Sequence, residues 1–247
     1  MKIFEAGTGR NILIFHGGGG PQTVANLAAH LAETAHVLAP TLPGWNGTPR
    51  PPELDSVAAY ADAYLRYLAE HDVREAIVVG SSIGGWLAAE LALRDTAQRI
   101  AGLIIINGVG VNVPGHPIRN LTGLAPQDIA KISFHDPSRF GAGAPPPTPE
   151  SIAIMRANQA SLAAIAGTPY GYDPTLLPRL AGIRIPTLVV WGASDGVVSA
   201  DYGRAYAAAI PGARFELITE AGHLPNLEQP TTTFRAIDRF LATTVAR

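Results

Sequence analysis

At 247 residues, with 47% hydrophobic and 15% charged side chains, the chain can form one large α/β domain or two small ones around a substantial core. A formal net charge of −2 gives no sign of attraction to nucleic acid or anionic membrane, and the lack of cysteine excludes disulfides and thiolate metal sites. No apolar run approaches the roughly 20 residues that span a bilayer, and residues 1–10 lack an apolar signal core, so a cytoplasmic location is expected.

A single strand is expected near residues 2–6, then a second over 11–15 (NILIF), which ends in His16 and four glycines. Val24, Leu27, Ala28 and Leu31 recur at helical spacing. Residues 36–39 form the next strand, stopped by Pro40 and a turn-rich stretch over 42–52. Asp55 and Ser56 can cap a helix that carries Val57, Tyr60, Ala61, Tyr64, Leu65 and Leu68 on one stripe. Strand 76–79 leads into helix 83–93, and 100–106 is another strand. After a long interval, strand 187–191, helix 200–209, strand 215–218 and a last helix through Phe234, Ile237 and Leu241 restore the rhythm. Continuously apolar strands alternating with amphipathic helices predict a mostly parallel twisted sheet with helices on both faces.

The interval from Pro114 to Pro178 breaks that rhythm and holds eleven of the 21 prolines. Thr148-Pro149-Glu150 is a helix start, with Ile152, Met155, Gln159 and Leu162 following, and a short helix is expected around 127–134. Gly141–Gly143 and the adjacent prolines would make a stiffened hinge. The predicted organisation is a core of residues 1–113 and 181–247, with 114–180 as a small helical cap insertion.

The strongest chemical signal is GSSIG at 80–84, a G-x-S-x-G motif between a strand and a helix. A sharp turn there lifts the Ser82 hydroxyl clear of the sheet and sets a helix N-terminus beneath it, where free N–H groups favour developing negative charge. Ser81 occupies the wrong position of the motif. Asp195 and His223 each follow a predicted strand, in the chain order Ser, Asp, His. In a parallel sheet all three fall beyond carboxyl ends of strands. The glycines of HGGGG at 16–20 can aim backbone N–H groups at an oxyanion. Gly18 is the preferred donor, with Gly19 second, beside the N–H of Ile83. Asp201 and Glu220 are the nearest acidic alternatives to Asp195. Gly108-Val109-Gly110 lacks the third glycine of a dinucleotide turn, and no metal-ligand spacing exists, so no cofactor or metal is expected.

HGGGG at 16–20, LPGWNGTPRP at 42–51, GSSIGG at 80–85, PTLVVWGASDGVV at 186–198 and AGHLPNLEQP at 221–230 together resemble the α/β-hydrolase superfamily over nearly the whole chain. The resemblance implies Ser82 as nucleophile, His223 as base, Asp195 as its orienter, and Gly18 and Ile83 as oxyanion donors. Two departures stand out: one N-terminal strand where the family has a pair, and Thr41 where many members have aspartate. The expected function is a serine hydrolase of carboxylesterase type. It would cleave an ester, lactone or thioester of a small, fairly apolar molecule through an acyl-enzyme. Trp45, Trp86, Phe134 and Met155 are the candidate substrate contacts. A serine-dependent carbon–carbon bond hydrolase is the alternative. Members of that group usually place tryptophan after the histidine, whereas Leu224 stands here, and they need a cationic cap residue, for which Arg119, Arg139 or Arg156 could serve. A non-hydrolytic ligand-binding or lyase member of the fold is the third reading. The expected partner is a small-molecule substrate, with no nucleic acid or membrane; oligomeric state leaves no mark in the sequence.

Overall fold

The computed structural model describes residues 2–139 and 148–244; the expected hinge at Gly141–Gly143 lies outside them. Seven strands form one sheet in the order β1-β3-β2-β4-β5-β6-β7. They are β1 (Ile3–Ala6), β2 (Asn11–Phe15), β3 (His36–Pro40), β4 (Ala76–Ser81), β5 (Ile100–Ile106), β6 (Thr187–Gly192) and β7 (Arg214–Ile218). Only β1 runs antiparallel, against β3. The single strand at the N-terminal edge agrees with the sequence.

Side chains alternate between faces, so each strand feeds two cores. Leu13, Phe15, Val78, Leu103, Ile105, Val189 and Trp191 enter one. It is covered by α2 (Val57–Glu70), α3 (Ile83–Arg94) and α7 (Ala200–Ala208). Ile12, Ile14, Ile77, Val79, Ile104, Ile106, Leu188 and Val190 enter the other, beneath α1 (Ala25–Ala32) and α9 (Pro230–Thr244). Burial on both faces explains why the strands read as unbroken apolar runs rather than alternating ones. Ser56, not Asp55, caps α2, accepting from the Ala59 N–H.

Between β5 and β6 the chain leaves the sheet. It forms α4 (Pro126–Ser133), α5 (Pro149–Ala166) and the short α6 (Leu176–Arg179) before returning. Thr148 caps α5 by accepting from Ser151 N–H. A side chain near one end of this insertion and backbone carbonyls nearer the other tie it to the core. Arg179 Nη1 donates to Glu90 Oε2 at 3.1 Å, and Arg94 Nε reaches the same oxygen at 3.1 Å. Glu90 sits almost wholly buried on α3. Near the other end, Gly196 N–H donates to Ile132 O at 3.0 Å, and His223 N–H donates to Ser133 O at 2.6 Å. A one-turn helix, α8 (Pro225–Glu228), follows His223.

Candidate active site

Ser82 sits between β4 and α3 with φ 57° and ψ −119°, a left-handed backbone rare for a residue with a side chain. The motif glycines make that turn possible. A Cβ on Gly80 would lie 2.0 Å from Gly84 O, and one on Gly84 would lie 2.5 Å from Phe15 O. Helix α3 can therefore start hard against β2, with Ser82 at its lip.

The loops after β6 and β7 bring two more groups to the hydroxyl. Ser82 Oγ and His223 Nε2 are 2.9 Å apart, and His223 Nδ1 and Asp195 Oδ2 are 2.8 Å apart. With the ring proton on Nδ1, His223 donates to the carboxylate and accepts from the serine hydroxyl. Asp195 is buried, but its carboxylate is saturated with donors. Oδ1 accepts from Val197 and Val198 N–H at 2.7 and 3.2 Å, and Oδ2 also accepts from Asn107 Nδ2 at 2.6 Å. Asn107, at the end of β5, is held in turn by Gly192 N–H donating to its Oδ1 at 3.2 Å. Asp201 pairs instead with Arg204 on an exposed surface. Asn107 escapes a reading of the sequence because asparagine after a strand is ordinary. Its signal is the same as that of Asp195, a polar residue directly after a buried apolar run. Glu228 escaped too. Its Oε2 accepts from Gly222 N–H and its Oε1 from His135 N–H at 2.8 Å, so one carboxylate joins the histidine loop to the segment after α4.

The glycine loop is held carbonyl by carbonyl. Gly17 O accepts from His16 Nδ1 at 2.7 Å and from Gly20 N–H at 3.1 Å. Because C=O and N–H of a trans peptide point oppositely, this fixes where the Gly18 N–H aims. Gly18 O accepts from the Trp45 indole at 2.9 Å, and Gly19 O accepts from Gln22 Nε2 and Asn158 Nδ2. His16 Nε2 accepts from Leu42 N–H at 3.0 Å, so both ring nitrogens are committed to the neutral tautomer. Burial lowers its pKa to about 4, against a smaller upward pull from Gly17 O.

A cavity of about 560 Å³ opens over Ser82, His223 and Gly18. Helix α5 lines it with Ser151, Ile154, Met155, Asn158, Gln159 and Leu162, one stripe at three- and four-residue spacing. Ile152, grouped with Met155 in the sequence, lies off that stripe. Phe134, Ile129 and Leu224 add apolar wall. Apart from His223, the described lining holds no carboxylate, amine or guanidinium; Tyr170 adds a phenol. Of the four expected substrate contacts, Phe134 and Met155 line the cavity, whereas Trp45 and Trp86 do not. Trp45 has no exposed surface because its ring turns inward to hold Gly18 O. Trp86, four residues beyond Ser82 on α3, packs against Gly110, where an added Cβ would meet its ring at 2.4 Å. Arg119 and Arg156 do not line the cavity either.

Residues 12–237 match the family model described as alpha/beta hydrolase family. The chain is 29% identical over 243 residues to a pimeloyl-[acyl-carrier protein] methyl ester esterase of Aromatoleum aromaticum, covering 89% of this chain and 93% of that one. It is 23% identical over 274 residues to 2-hydroxymuconate semialdehyde hydrolase of Pseudomonas putida, covering 98% and 90%. Among solved structures it resembles a thermophilic esterase from Thermogutta terrifontis, with TM-score 0.79, 24% identity and coverage of 98% and 93%.

Proposed function

The chain belongs to the alpha/beta hydrolase family, and from that premise we propose that it cleaves ester-type bonds of small, uncharged, largely apolar substrates through a Ser82 acyl-enzyme. The observation that carries this reading is the hydrogen-bonded line Ser82–His223–Asp195 opening into a cavity whose described lining holds no Asp, Glu, Lys or Arg. His223 takes the Ser82 proton as the hydroxyl oxygen attacks the substrate carbonyl. The oxyanion receives the N–H groups of Gly18 and Ile83, neither of which bonds to another described residue. The proton passes from His223 to the leaving alcohol or thiol, or to the ring oxygen of a lactone. A water, deprotonated by His223, then releases the acid. Residues 114–180 act as the cap that shapes the acyl and alcohol pockets.

An organophosphonate probe is expected to place one adduct on the Ser82 peptide. Ser82→Ala is expected to lower kcat on an activated ester by about a thousandfold or more. Labelling at Ser81, or full turnover by the alanine variant, would refute the assignment. The similarity to the muconate semialdehyde hydrolase keeps carbon–carbon cleavage as the second reading. Leu224 after the histidine and the uncharged described lining favour the ester. Faster turnover of a carboxylated vinylogous diketone than of any ester would reverse that order.

A further inference from the structure

We infer that Asn158 of α5 is a positioning residue for the oxyanion loop, so that the insertion completes the reaction machinery as well as shaping the cavity. The inference rests on the acyl-enzyme reading above. Asn158 is 3% exposed, although most of its stripe faces the open cavity. Its amide is wholly engaged with the core. Oδ1 accepts from Asn46 N–H at 2.8 Å, and Nδ2 donates to Asn46 Oδ1 at 2.9 Å and to Gly19 O at 3.4 Å. Asn46 itself has φ 49°, in the left-handed region, so the pairing holds a residue in a conformation it rarely adopts. Asn46 Nδ2 lies 3.4 Å from Gln22 Oε1, and Gln22 Nε2 donates to Gly19 O, closing a ring of amides around that carbonyl.

Packing repeats the same connection. A Cβ on Gly20 would lie 2.9 Å from Asn46 Oδ1 and 3.0 Å from Asn158 Nδ2. One turn along α5, Leu162 closes on Gly18, where a Cβ would lie 2.6 Å from its Cδ2. A run of glycines has little conformational preference of its own, so its peptide planes rest where their partners hold them. Gly17 O and Gly18 O are held from within the core, by His16 and Trp45. Gly19 O is the one of the three that also takes a donor from the insertion. Displacing α5 therefore leaves Gly19 O to Gln22 alone and removes the Leu162 contact, and the Gly18 N–H loses part of its aim.

Asn158→Leu removes the three Asn158 bonds, and Asn158→Asp keeps an acceptor for Asn46 N–H but no donor to Gly19 O. Removal of a full oxyanion donor costs about 100–1,000-fold, so a mis-aimed one is expected to lower kcat by about 10–100-fold. KM should stay within about threefold, because the lost interaction acts on the transition state. Affinity for a boronic acid, whose serine adduct is tetrahedral and anionic, should fall in parallel with kcat. Amide hydrogen exchange in residues 16–22 should quicken, and the aspartate variant, whose second oxygen would face Gly19 O, should lose kcat at least as far as the leucine variant. A leucine variant with lower thermal stability but unchanged kcat and boronate affinity would reduce Asn158 to packing between insertion and core. A change confined to KM would make it a substrate contact. Either outcome overturns the inference. Should the parent protein turn over no ester, the reaction reading fails by itself, and exchange at residues 16–22 still decides whether Asn158 holds the loop.

Discussion

Under the proposed mechanism, Asn107 would orient the His223–Asp195 pair without touching substrate. It donates to the same Asp195 oxygen that receives His223, while its own carbonyl oxygen is pinned by Gly192. A hydrogen bond to a charged group contributes about 1.5–3 kcal/mol, and part of that should appear as misorientation of the imidazole when Asn107→Ala removes it. The expected loss is about tenfold in kcat, with no multiplication when Asp195→Asn is added, since the two act through one oxygen. A four-variant cycle of kcat measures this, and independent, multiplying losses would show that Asn107 serves only the fold. The meeting of Ser82, Asp195 and His223 was legible because each lies within a few residues of a strand end, where a parallel sheet gathers its loops. Trp45 and Trp86 were misplaced for a physical reason. Their size and closeness to the motifs suggested a wall of the pocket, but the direction of a side chain follows the turn or helix phase, which sequence proximity does not set.

At the scale of elements, strands and core helices were legible almost to the residue, because burial on both faces writes itself as continuous hydrophobicity. The insertion was legible only as two helices. Which face of α5 turns inward depends on tertiary contacts, and mixed stripes such as Ile152 against Met155 leave that open. The observed phase yields a prediction. Met155 is on the cavity stripe and Arg156 is off it. Met155→Ala should shift the preferred acyl length, with kcat/KM ratios changing by at most about 10–200-fold per methylene-sized difference, while Arg156→Ala leaves the profile unaltered. Chain-length profiles of p-nitrophenyl esters, read beside the thermal stability of the same variants, separate pocket from packing. A profile that moves equally in both variants would refute the assigned phase.

At the scale of the whole molecule, a buried ring is expected to contribute to the response to acid. His16 is held neutral with its pKa lowered to about 4, whereas an unfolded chain binds that proton near 6.5. The unfolded state therefore takes up the proton first as pH falls. The stability contributed by the neutral ring is complete above about 6.5 and is lost progressively towards 4, by roughly 3 kcal/mol. Urea unfolding between pH 7 and 4.5 should show this slope, and His16→Gln should flatten it while starting from a lower value at pH 7. An unchanged slope in the variant would assign the acid response to other groups. The place where the insertion departs has a different kind of consequence. Its ends leave and rejoin β5 and β6, which pair directly from Leu103 with Thr187 to Ile106 with Val190. The ladder registers are therefore indifferent to how much chain lies between them, and doubling a loop costs only about 0.6 kcal/mol in closure entropy. The segment is in that sense exchangeable, and descent can rewrite it wholesale without disturbing the sheet. The exchange is bound by a short contract: any replacement must again offer carbonyls to Gly196 and His223, N–H groups to Glu228, an amide to Gly19 and a cation to the buried Glu90.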